Sequence, residues 1–205
     1  MSETLLDVRN LTTQFETEEG TVHAVEDSTF TVDRQEVVGI VGESGSGKTV
    51  TALSVMGLIE NPGRIVAGKV TLNGVDLLGR NEAEMRAIRG RDIAMVFQDS
   101  LSSLNPILTV GEQIGRVVRN HSALRGTQVR RRTTELLSHV GIPAPETRIR
   151  AYPHQMSGGM RQRVLIAMAL SCNPSLVILD EPTTALDVTI EAQIFELVDR
   201  LQKSH

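Results

Sequence analysis

The sequence Gly42-Glu43-Ser44-Gly45-Ser46-Gly47-Lys48-Thr49 (GESGSGKT) decides which fold the chain can adopt. It matches the phosphate-binding pattern G-x-x-x-x-G-K-[ST] at every fixed position. The glycines let successive backbone N–H groups face one anion. The Lys48 ammonium can reach the β- and γ-phosphates of a nucleotide, and the Thr49 hydroxyl can bind Mg²⁺. The alternative is a flexible Gly/Ser loop with an accidental lysine, but the full pattern favours a nucleotide site.

The residues on either side of this loop agree with that interpretation. Glu36 to Val41 (EVVGIV) is a β-branched apolar run of the kind that forms a buried strand. Thr49 to Ile59 (TVTALSVMGLI) is apolar nearly all round, as a buried helix would be. The sequence therefore predicts the strand–loop–helix junction that phosphate binding requires.

Composition narrows the class of protein. The chain has 205 residues, enough for one sizeable domain. A net charge of −4 and an aromatic content of 2% argue against nucleic-acid binding. The single Cys172 cannot form an internal disulfide. No apolar run reaches the roughly 20 residues that span a bilayer, so we expect any action at a membrane to need a partner that spans it.

The N-terminal part is predicted to be an antiparallel β subdomain. Thr4 to Val8 and Ser28 to Val32 have strand patterns, and the polar segment Thr17 to Thr21 between them predicts a turn. Phe15 lies just before that turn, either as a strand-end core residue or as a stacking partner for a nucleotide base. Further on, Asn81 to Ile88 is predicted as a capped helix.

A helical insert is predicted within the α/β core, over about Leu101 to Ala151. Gly111 to His121 and Gln128 to Val140 carry helical periodicity. The cluster Arg130-Arg131-Arg132 is typical of a solvated helix face, where Glu135 can pair with Arg131. The strand Asp92 to Phe97, which precedes the insert, ends at Gln98.

After the insert come a glycine motif and an acidic pair. Ser157 is a candidate N-cap, and Gly158-Gly159 would let a ligand approach the backbone before a buried helix over Val164 to Ser171. A buried strand, Ser175 to Leu179, then ends in Asp180-Glu181. At a strand's carboxyl end, beside a phosphate loop, one carboxylate should hold Mg²⁺ and the other face the attacking water. The alternative is an acidic pair that caps a helix.

These motifs, in this order, resemble the ATP-binding subunits of ABC transporters over nearly the whole chain. The resemblance implies an α/β P-loop NTPase core with an N-terminal antiparallel β subdomain and a helical insert, in a single nucleotide-binding domain. It assigns Walker A to GESGSGKT, the Q-loop to Gln98, the signature to MSGGM, Walker B to LVILDE and the D-loop to Ala185-Leu186-Asp187.

The resemblance also implies ATP and Mg²⁺ as ligands and a role for each matching residue. Catalysis is assigned to Glu181 and Gln98, and Mg²⁺ to Thr49, Gln98 and Asp180. Nucleotide contacts are assigned to Phe15, Gly42, Glu43, Ser44, Gly45, Ser46, Gly47, Lys48, Thr49, Ser157, Gly158, Gly159 and Asp187.

Longer stretches, such as VFQDSLSSLNPILTVGEQI and YPHQMSGGMRQRV, look like the dipeptide/oligopeptide (and nickel) permease branch. This implies an ATPase that energises an importer from the cytoplasmic face of the cell membrane. Its partners would be transmembrane permease subunits and a second ATP-binding subunit. Met156 and Met160 depart from the commoner Leu and Gln of the signature, and Ser100 and Gln35 also depart from the family pattern.

The C-terminal end departs further from the family. His205 follows directly on the final helix, about Ile190 to Gln202, and cannot be the family's switch histidine, so we expect the domain to be incomplete there. We also expect the apolar face of that helix to be partly exposed; it comprises Ile190, Ile194, Leu197, Val198 and Leu201. Two alternatives stay open: a chain that binds nucleotide without turnover, and an ABC ATPase of DNA repair.

Overall fold

The computed structural model describes residues 3–98, 103–182 and 188–204. The chain divides into two compact units, one up to Arg86 and the other from Ala87 onward. The architecture of each unit follows from its own sequence patterns, so the two are described in turn.

The first unit is built on an antiparallel sheet. The long strands β1 (Thr4–Thr17) and β2 (Gly20–Asp33) form the predicted hairpin. β3 (Gly63–Leu72) pairs with the other side of β1, and β4 (Val75–Asp76) follows β3 after a tight turn, giving the order β2-β1-β3-β4. The sheet buries an apolar row that includes Leu6, Val8, Leu11, Val70 and Leu72. The predicted antiparallel β subdomain is therefore confirmed.

Two helices follow in the chain, the second of which begins in the first unit and ends just beyond its boundary. α1 (Lys48–Met56) is joined to the sheet by a buried hydrogen bond of 2.8 Å between the Thr13 and Ser54 hydroxyls. α2 (Glu82–Ile88) begins with the predicted cap. Asn81 Oδ1 accepts from the Glu84 amide at 3.0 Å, and Glu84 Oε2 accepts from the Asn81 amide at 3.0 Å. This reciprocal pair satisfies two amides at the helix start.

The prediction of a buried strand over Glu36 to Val41 is wrong. The segment has no assigned secondary structure, and the side chains of Val37 and Val41 are 68% and 92% exposed. β-branched composition gives a segment the propensity for a strand, but a strand forms only where a neighbouring chain completes its hydrogen bonds. Among the strands that the structure describes, none pairs with this segment.

The second unit contains a short parallel sheet surrounded by helices. β5 (Ile93–Val96) and β6 (Leu176–Leu179) pair in register, from Ile93 with Leu176 to Val96 with Leu179. The helices are α3 (Val110–His121), α4 (Thr127–His139), α5 (Pro145–Arg148), α6 (Gly158–Ala169) and α7 (Val188–Ser204), with 3₁₀ turns at Pro153–Gln155 and Leu170–Cys172.

The helices of the second unit share one hydrophobic core. It includes Ile114, Leu137 and Val164, each 0% exposed, from three successive long helices. Both predicted helices of the insert are present as α3 and α4. The helix predicted from Val164 begins earlier, at Gly158, because Ser157 provides the N-cap.

The expected exposure of the final helix is wrong for two of its residues. Ile194 and Leu197 of α7 are 0% and 2% exposed and belong to the core of this unit. The helix therefore has a surface to pack on within the described residues. Val198 is half-buried, in agreement with the expected partial exposure, and Phe195 of the same helix is 52% exposed. The side chains of Ile190 and Leu201 lie outside the described part of the chain. Of the helices that are described, none is long and apolar enough to cross a membrane.

Candidate functional site

The phosphate-binding loop lies in the first unit, and its backbone conformation requires glycine at two positions. Gly45 and Gly47 have φ values of 81° and 87°, in the left-handed region that side chains disfavour. A Cβ on Gly47 would also collide with the carbonyl oxygen of Ala24 on β2. The loop is therefore fixed against β2 by a contact that only glycine permits, which sequence reasoning did not identify.

Lys48 folds back over this loop. Its Nζ donates to the carbonyl oxygens of Gly42 and Glu43, each at 2.9 Å. The amide of Ser46 donates to the Glu43 carbonyl at 3.2 Å, which closes the turn. The lysine ammonium therefore lies over the curve of the loop, where a phosphate bound by the loop would find it.

The same loop delivers the chain to the start of α1. Gly47 is the N-cap residue and makes no side-chain cap, while the Thr51 amide donates to the Gly47 carbonyl at 2.8 Å. The N-terminus of a helix carries partial positive charge and favours an anion. Loop, ammonium and helix start thus present positive charge on one side, and Glu43, Ser44 and Thr49 are exposed there.

Phe15 lies at the end of the hairpin, half-buried opposite Gly63 of β3. A Cβ on Gly63 would approach Phe15 Cε1 to 2.5 Å, so the ring lies directly on the glycine. This contact gives Phe15 a packing role at the strand end. The accessible part of its ring leaves the stacking role as a prediction.

The acidic pair and Gln98 lie in the second unit, at one edge of the parallel sheet. The Asp180 amide donates to the Val96 carbonyl at 2.9 Å, which extends the pairing just beyond β6. The carboxyl ends of parallel strands meet at one edge, where α/β proteins bind ligands. Accordingly Gln98 Nε2 donates to Glu181 Oε2 at 2.7 Å. Two residues predicted separately, 83 positions apart, are in contact.

The two neighbouring carboxylates differ in access to water. Asp180 is 7% exposed, whereas Glu181 is half-buried and is reached by solvent. Glu181 also has a φ of 44°, an uncommon value for a residue with a side chain. The turn of the backbone at Glu181 therefore separates an inward carboxylate from an accessible one.

The glycine motif forms the start of α6. Ser157 Oγ accepts from the Met160 amide at 3.3 Å, so the predicted N-cap is confirmed. Ser157 is exposed and Gly159 is buried. Behind them, Gln162 is 2% exposed and its Nε2 has no partner among the described residues, a buried feature that sequence reasoning missed. Asp187 of the predicted D-loop lies outside the described residues.

Comparison with known proteins identifies the family. The profile of the ABC transporter family matches residues 25–184. The dipeptide transport ATP-binding protein DppD of Escherichia coli (strain K12) is 52% identical over 199 residues, which are 97% of this chain and 61% of DppD. The oligopeptide transport ATP-binding protein OppD of Bacillus subtilis (strain 168) is 50% identical over 97% of this chain and 56% of OppD. The chain thus spans about three-fifths of the length of these relatives.

Solved structures agree. The dimeric post-hydrolysis structure of the ATP-binding cassette MJ0796 with ADP and Pi matches with a TM-score of 0.85 and 29% identity, over 98% of this chain and 84% of that chain. The cbiO1 structure from Clostridium perfringens, part of the ABC transporter complex cbiONQ, matches with a TM-score of 0.80 and 26% identity, over 98% of this chain and 75% of that chain. The α/β architecture is therefore that of an ABC cassette, and the chain belongs to the ABC transporter family.

Proposed function

We propose that this chain binds ATP with Mg²⁺ and hydrolyses it as the energy-supplying subunit of an importer for dipeptides or oligopeptides. The observation that carries the hydrolytic part is the 2.7 Å contact between Gln98 and the solvent-accessible Glu181 at the carboxyl edge of β5 and β6. The binding part is supported by the Lys48 ammonium over a glycine loop at the start of α1.

Binding is assigned to the loop from Gly42 to Thr49. The Lys48 Nζ would exchange the Gly42 and Glu43 carbonyls for phosphate oxygens, which are stronger acceptors because they are charged. Phe15 would contact the adenine with the accessible part of its ring. The uncapped start of α1 adds a favourable field for the phosphates.

The residues that would hold Mg²⁺ are Thr49, Gln98 and Asp180. They offer a hydroxyl, an amide oxygen and a carboxylate, the oxygen ligands that this ion prefers. Because the Gln98 amide nitrogen donates to Glu181, its Oε1 is left as the acceptor atom for a cation. A bound Mg²⁺ would neutralise charge that develops on the transferred phosphoryl group.

Glu181 is assigned the role of general base toward the attacking water. Its carboxylate is accessible to solvent, whereas that of Asp180 is buried. Gln98 would hold the Glu181 carboxylate in one orientation through its amide. The assignment of Glu181 as the base and Asp180 as a Mg²⁺ ligand follows from this difference in exposure to solvent.

The second nucleotide contact would come from a partner subunit. Ser157, Gly158 and Gly159, together with Asp187, would serve the nucleotide of a second ATP-binding subunit. The exposed Ser157 at the start of the 12-residue helix α6 supports this assignment. Dimeric structures are known for the related cassette MJ0796.

The importer role rests on the relatives. DppD and OppD are named for dipeptide and oligopeptide transport. By that likeness the chain would act at the cytoplasmic face of the cell membrane, bound to transmembrane permease subunits. A nucleic-acid partner is disfavoured by the net charge of −4.

The test is ATP binding and turnover by the chain with and without Mg²⁺, compared with Ser157→Arg. We expect this variant to bind ATP as a dilute monomer with unchanged affinity but not to hydrolyse it. Binding without turnover in the unsubstituted chain, assembled with its permease, would establish a binding-only function instead. Loss of monomer binding in Ser157→Arg would place the glycine motif at the same chain's nucleotide and refute the shared site.

A further inference from the structure

A buried pair of hydroxyl groups joins β1 to α1 in the first unit. Thr13 of β1 and Ser54 of α1 are both 0% exposed, and their hydroxyl oxygens lie 2.8 Å apart. Ser54 also donates its hydroxyl hydrogen to the Val50 carbonyl at 2.7 Å. Since a serine has a single hydroxyl hydrogen and a carbonyl can only accept, Thr13 is the donor toward Ser54. Both hydroxyl hydrogens therefore have acceptors.

This hydrogen bond holds the strand and the helix closer together than apolar side chains would. Carbon atoms in van der Waals contact lie roughly 3.5–4.0 Å apart. The two hydroxyl oxygens lie at 2.8 Å. A methyl group in the place of the Thr13 hydroxyl would therefore need a wider gap between β1 and α1. The spacing of strand and helix at this point thus depends on the hydroxyl pair.

The strand β1 is irregular at Thr13. Its pairing with β2 shifts register on both sides of Thr13, and its pairing with β3 shifts between Thr12 and Thr13. Irregularities of this kind redirect a side chain and are frequent beside functional sites. Thr13 is a polar residue on the buried side of β1, where Val8 and Leu11 are also 0% exposed. Its burial is favourable only because its hydroxyl has a partner on α1.

The neighbours of Thr13 lead to both ends of the proposed nucleotide site. On β2, Thr13 is paired with Val25, and a Cβ on Gly47 of the phosphate loop would lie 3.6 Å from Val25 Cγ2. Along β1, Phe15 follows two positions after Thr13, and its ring lies on Gly63. Thr13 therefore links the phosphate loop, through Val25, with the strand end that carries Phe15.

The phosphate loop and the Phe15 ring have to act on one molecule. A nucleotide joins its base to its phosphates through the ribose, so both ends bind at once only if loop and ring are the correct distance apart. The loop leads into α1, and β1 carries the ring. The bond between Thr13 and Ser54 fixes α1 against β1, and it therefore contributes to that distance.

We infer that Thr13 is a positioning residue for nucleotide recognition. Through its bond to Ser54 it sets the span from the phosphate loop to the Phe15 ring, so that the base adds to the affinity of the triphosphate. Because Thr13 is fully buried, it acts through Phe15 and not by contact with the nucleotide. The inference rests on the proposed function, in which Phe15 contacts the adenine.

The first experiment compares ATP with inorganic tripolyphosphate, which offers phosphates without a base. Isothermal titration calorimetry in the presence of Mg²⁺ gives the ratio of the two affinities for each variant. Phe15→Leu should lower this ratio by about tenfold, the effect of losing one base–aromatic stack. Thr13→Val should lower it by about three- to tenfold, with the affinity for tripolyphosphate within about twofold of the unsubstituted chain. Thr31→Val, at an exposed position of β2, is the matched control and should leave the ratio unchanged.

The second experiment separates positioning from stability. Thr13→Val combined with Phe15→Leu should lower the ratio no further than Phe15→Leu alone, because Thr13 acts through the ring. Thr13→Ser keeps the hydroxyl and should bind with the ratio of the unsubstituted chain. If Thr13→Val does not fold, the double variant Thr13→Val, Ser54→Ala replaces it. That variant removes both hydroxyls without leaving a buried donor unpaired, and it should show the same loss of base recognition.

The outcomes distinguish the positioning role from the proposed function. If Phe15→Leu lowers the ratio and Thr13→Val does not, only the positioning role is refuted. Equal losses of affinity for ATP and for tripolyphosphate in Thr13→Val also refute it, since the threonine then serves stability alone. If Phe15→Leu leaves the ratio unchanged, or if the unsubstituted chain does not bind ATP, the proposed nucleotide site is refuted and the positioning role with it.

Discussion

The two apolar runs that precede the functional loops make an instructive pair. Glu36 to Val41 leads into the phosphate loop, and Leu176–Leu179 leads into Asp180 and Glu181. Both are rich in β-branched or branched residues, yet only the second is a strand, paired in parallel with β5. The first has Val41 92% exposed. The difference shows that composition indicates the propensity of a segment for a strand, whereas a strand forms only where a neighbouring segment pairs with it.

The largest effect is expected at Glu181, which follows the paired strand Leu176–Leu179. Glu181→Gln should lower ATP turnover by about 10²- to 10⁴-fold with little change in ATP affinity, because an amide cannot accept the proton from water. Steady-state hydrolysis and nucleotide titration measure the two quantities. Asp180→Asn is the matched control and should chiefly weaken the dependence on Mg²⁺. Equal effects of both changes on Mg²⁺ affinity would refute the division between the buried and the accessible carboxylate.

The second prediction tests the phosphate loop, which follows the unpaired segment Glu36 to Val41. Lys48→Ala should weaken ATP binding by about 100-fold, since it removes a charge-assisted contact to the phosphates. Lys69→Ala, at an exposed position of β3, should bind as the unsubstituted chain does. If Lys48→Ala binds ATP with an affinity within a few-fold of wild type, the loop is not the phosphate site. The segment before it would then not lead into a functional loop.

The third effect concerns stability and compares the two regions directly. Val96→Ala in β5 removes a side chain that is 2% exposed and should lower the free energy of unfolding by about 1.5–3 kcal/mol. Val37→Ala, in the unpaired run, removes one that is 68% exposed and should change it by less than about 0.5 kcal/mol. Denaturant unfolding measures both. Equal losses would mean that the run around Val37 is buried in solution.

The smallest effect extends the comparison to helix starts. α1 begins at a glycine without a side-chain cap, whereas α3 begins at Thr109, which exchanges hydrogen bonds with Glu112. Bonds from the Thr109 side chain and then its backbone lower the pKa of Glu112, with help from Arg116 and Arg119. A lowered pKa means stabilisation that is present at neutral pH and is lost as pH falls through the folded-state value.

Thr109→Ala should therefore lower the melting temperature slightly at neutral pH and reduce its decline on acidification. Thermal unfolding from pH 7 down to pH 3 follows this, with Thr147→Ala, at an exposed position of α5, as the control. An unchanged acid dependence in Thr109→Ala would show that the cap does not control the Glu112 carboxyl.

Local sequence signals predicted most of the elements. Patterns that span only a few residues predicted the antiparallel pairing of β1 and β2, the Asn81 cap, both helices of the insert and the Ser157 cap. Gln98 and Glu181 were each predicted at the end of a strand, and the structure explains their contact, because parallel strands end at a shared edge. Such features depend on chemistry that is complete within one segment or one strand pair.

Other features depend on distant segments and could not be predicted. The exposure of Val41 depends on which strands are available to pair, and the burial of Ile194 and Leu197 depends on helices far earlier in the chain. Likewise, the phosphate-loop pattern fixes glycine at position 47, but it does not reveal the contact of Gly47 with a carbonyl on β2. For the predicted nucleotide-binding residues, the motifs identify the side chains, but only the structure shows which of them are exposed to solvent.

The first two amides of α3 carry a consequence for hydrogen exchange. Helix-initial amides usually exchange quickly with solvent because they have no acceptor within the helix. Here Val110 and Gly111 donate instead to the carbonyls of Ala151 and Ile149, in the segment that leads to Ser157. Their deuterium uptake therefore reports on that segment rather than on fraying of α3. Any displacement of the chain before Ser157 would break both hydrogen bonds together. The exchange rates of the two amides therefore report on motion at the glycine motif.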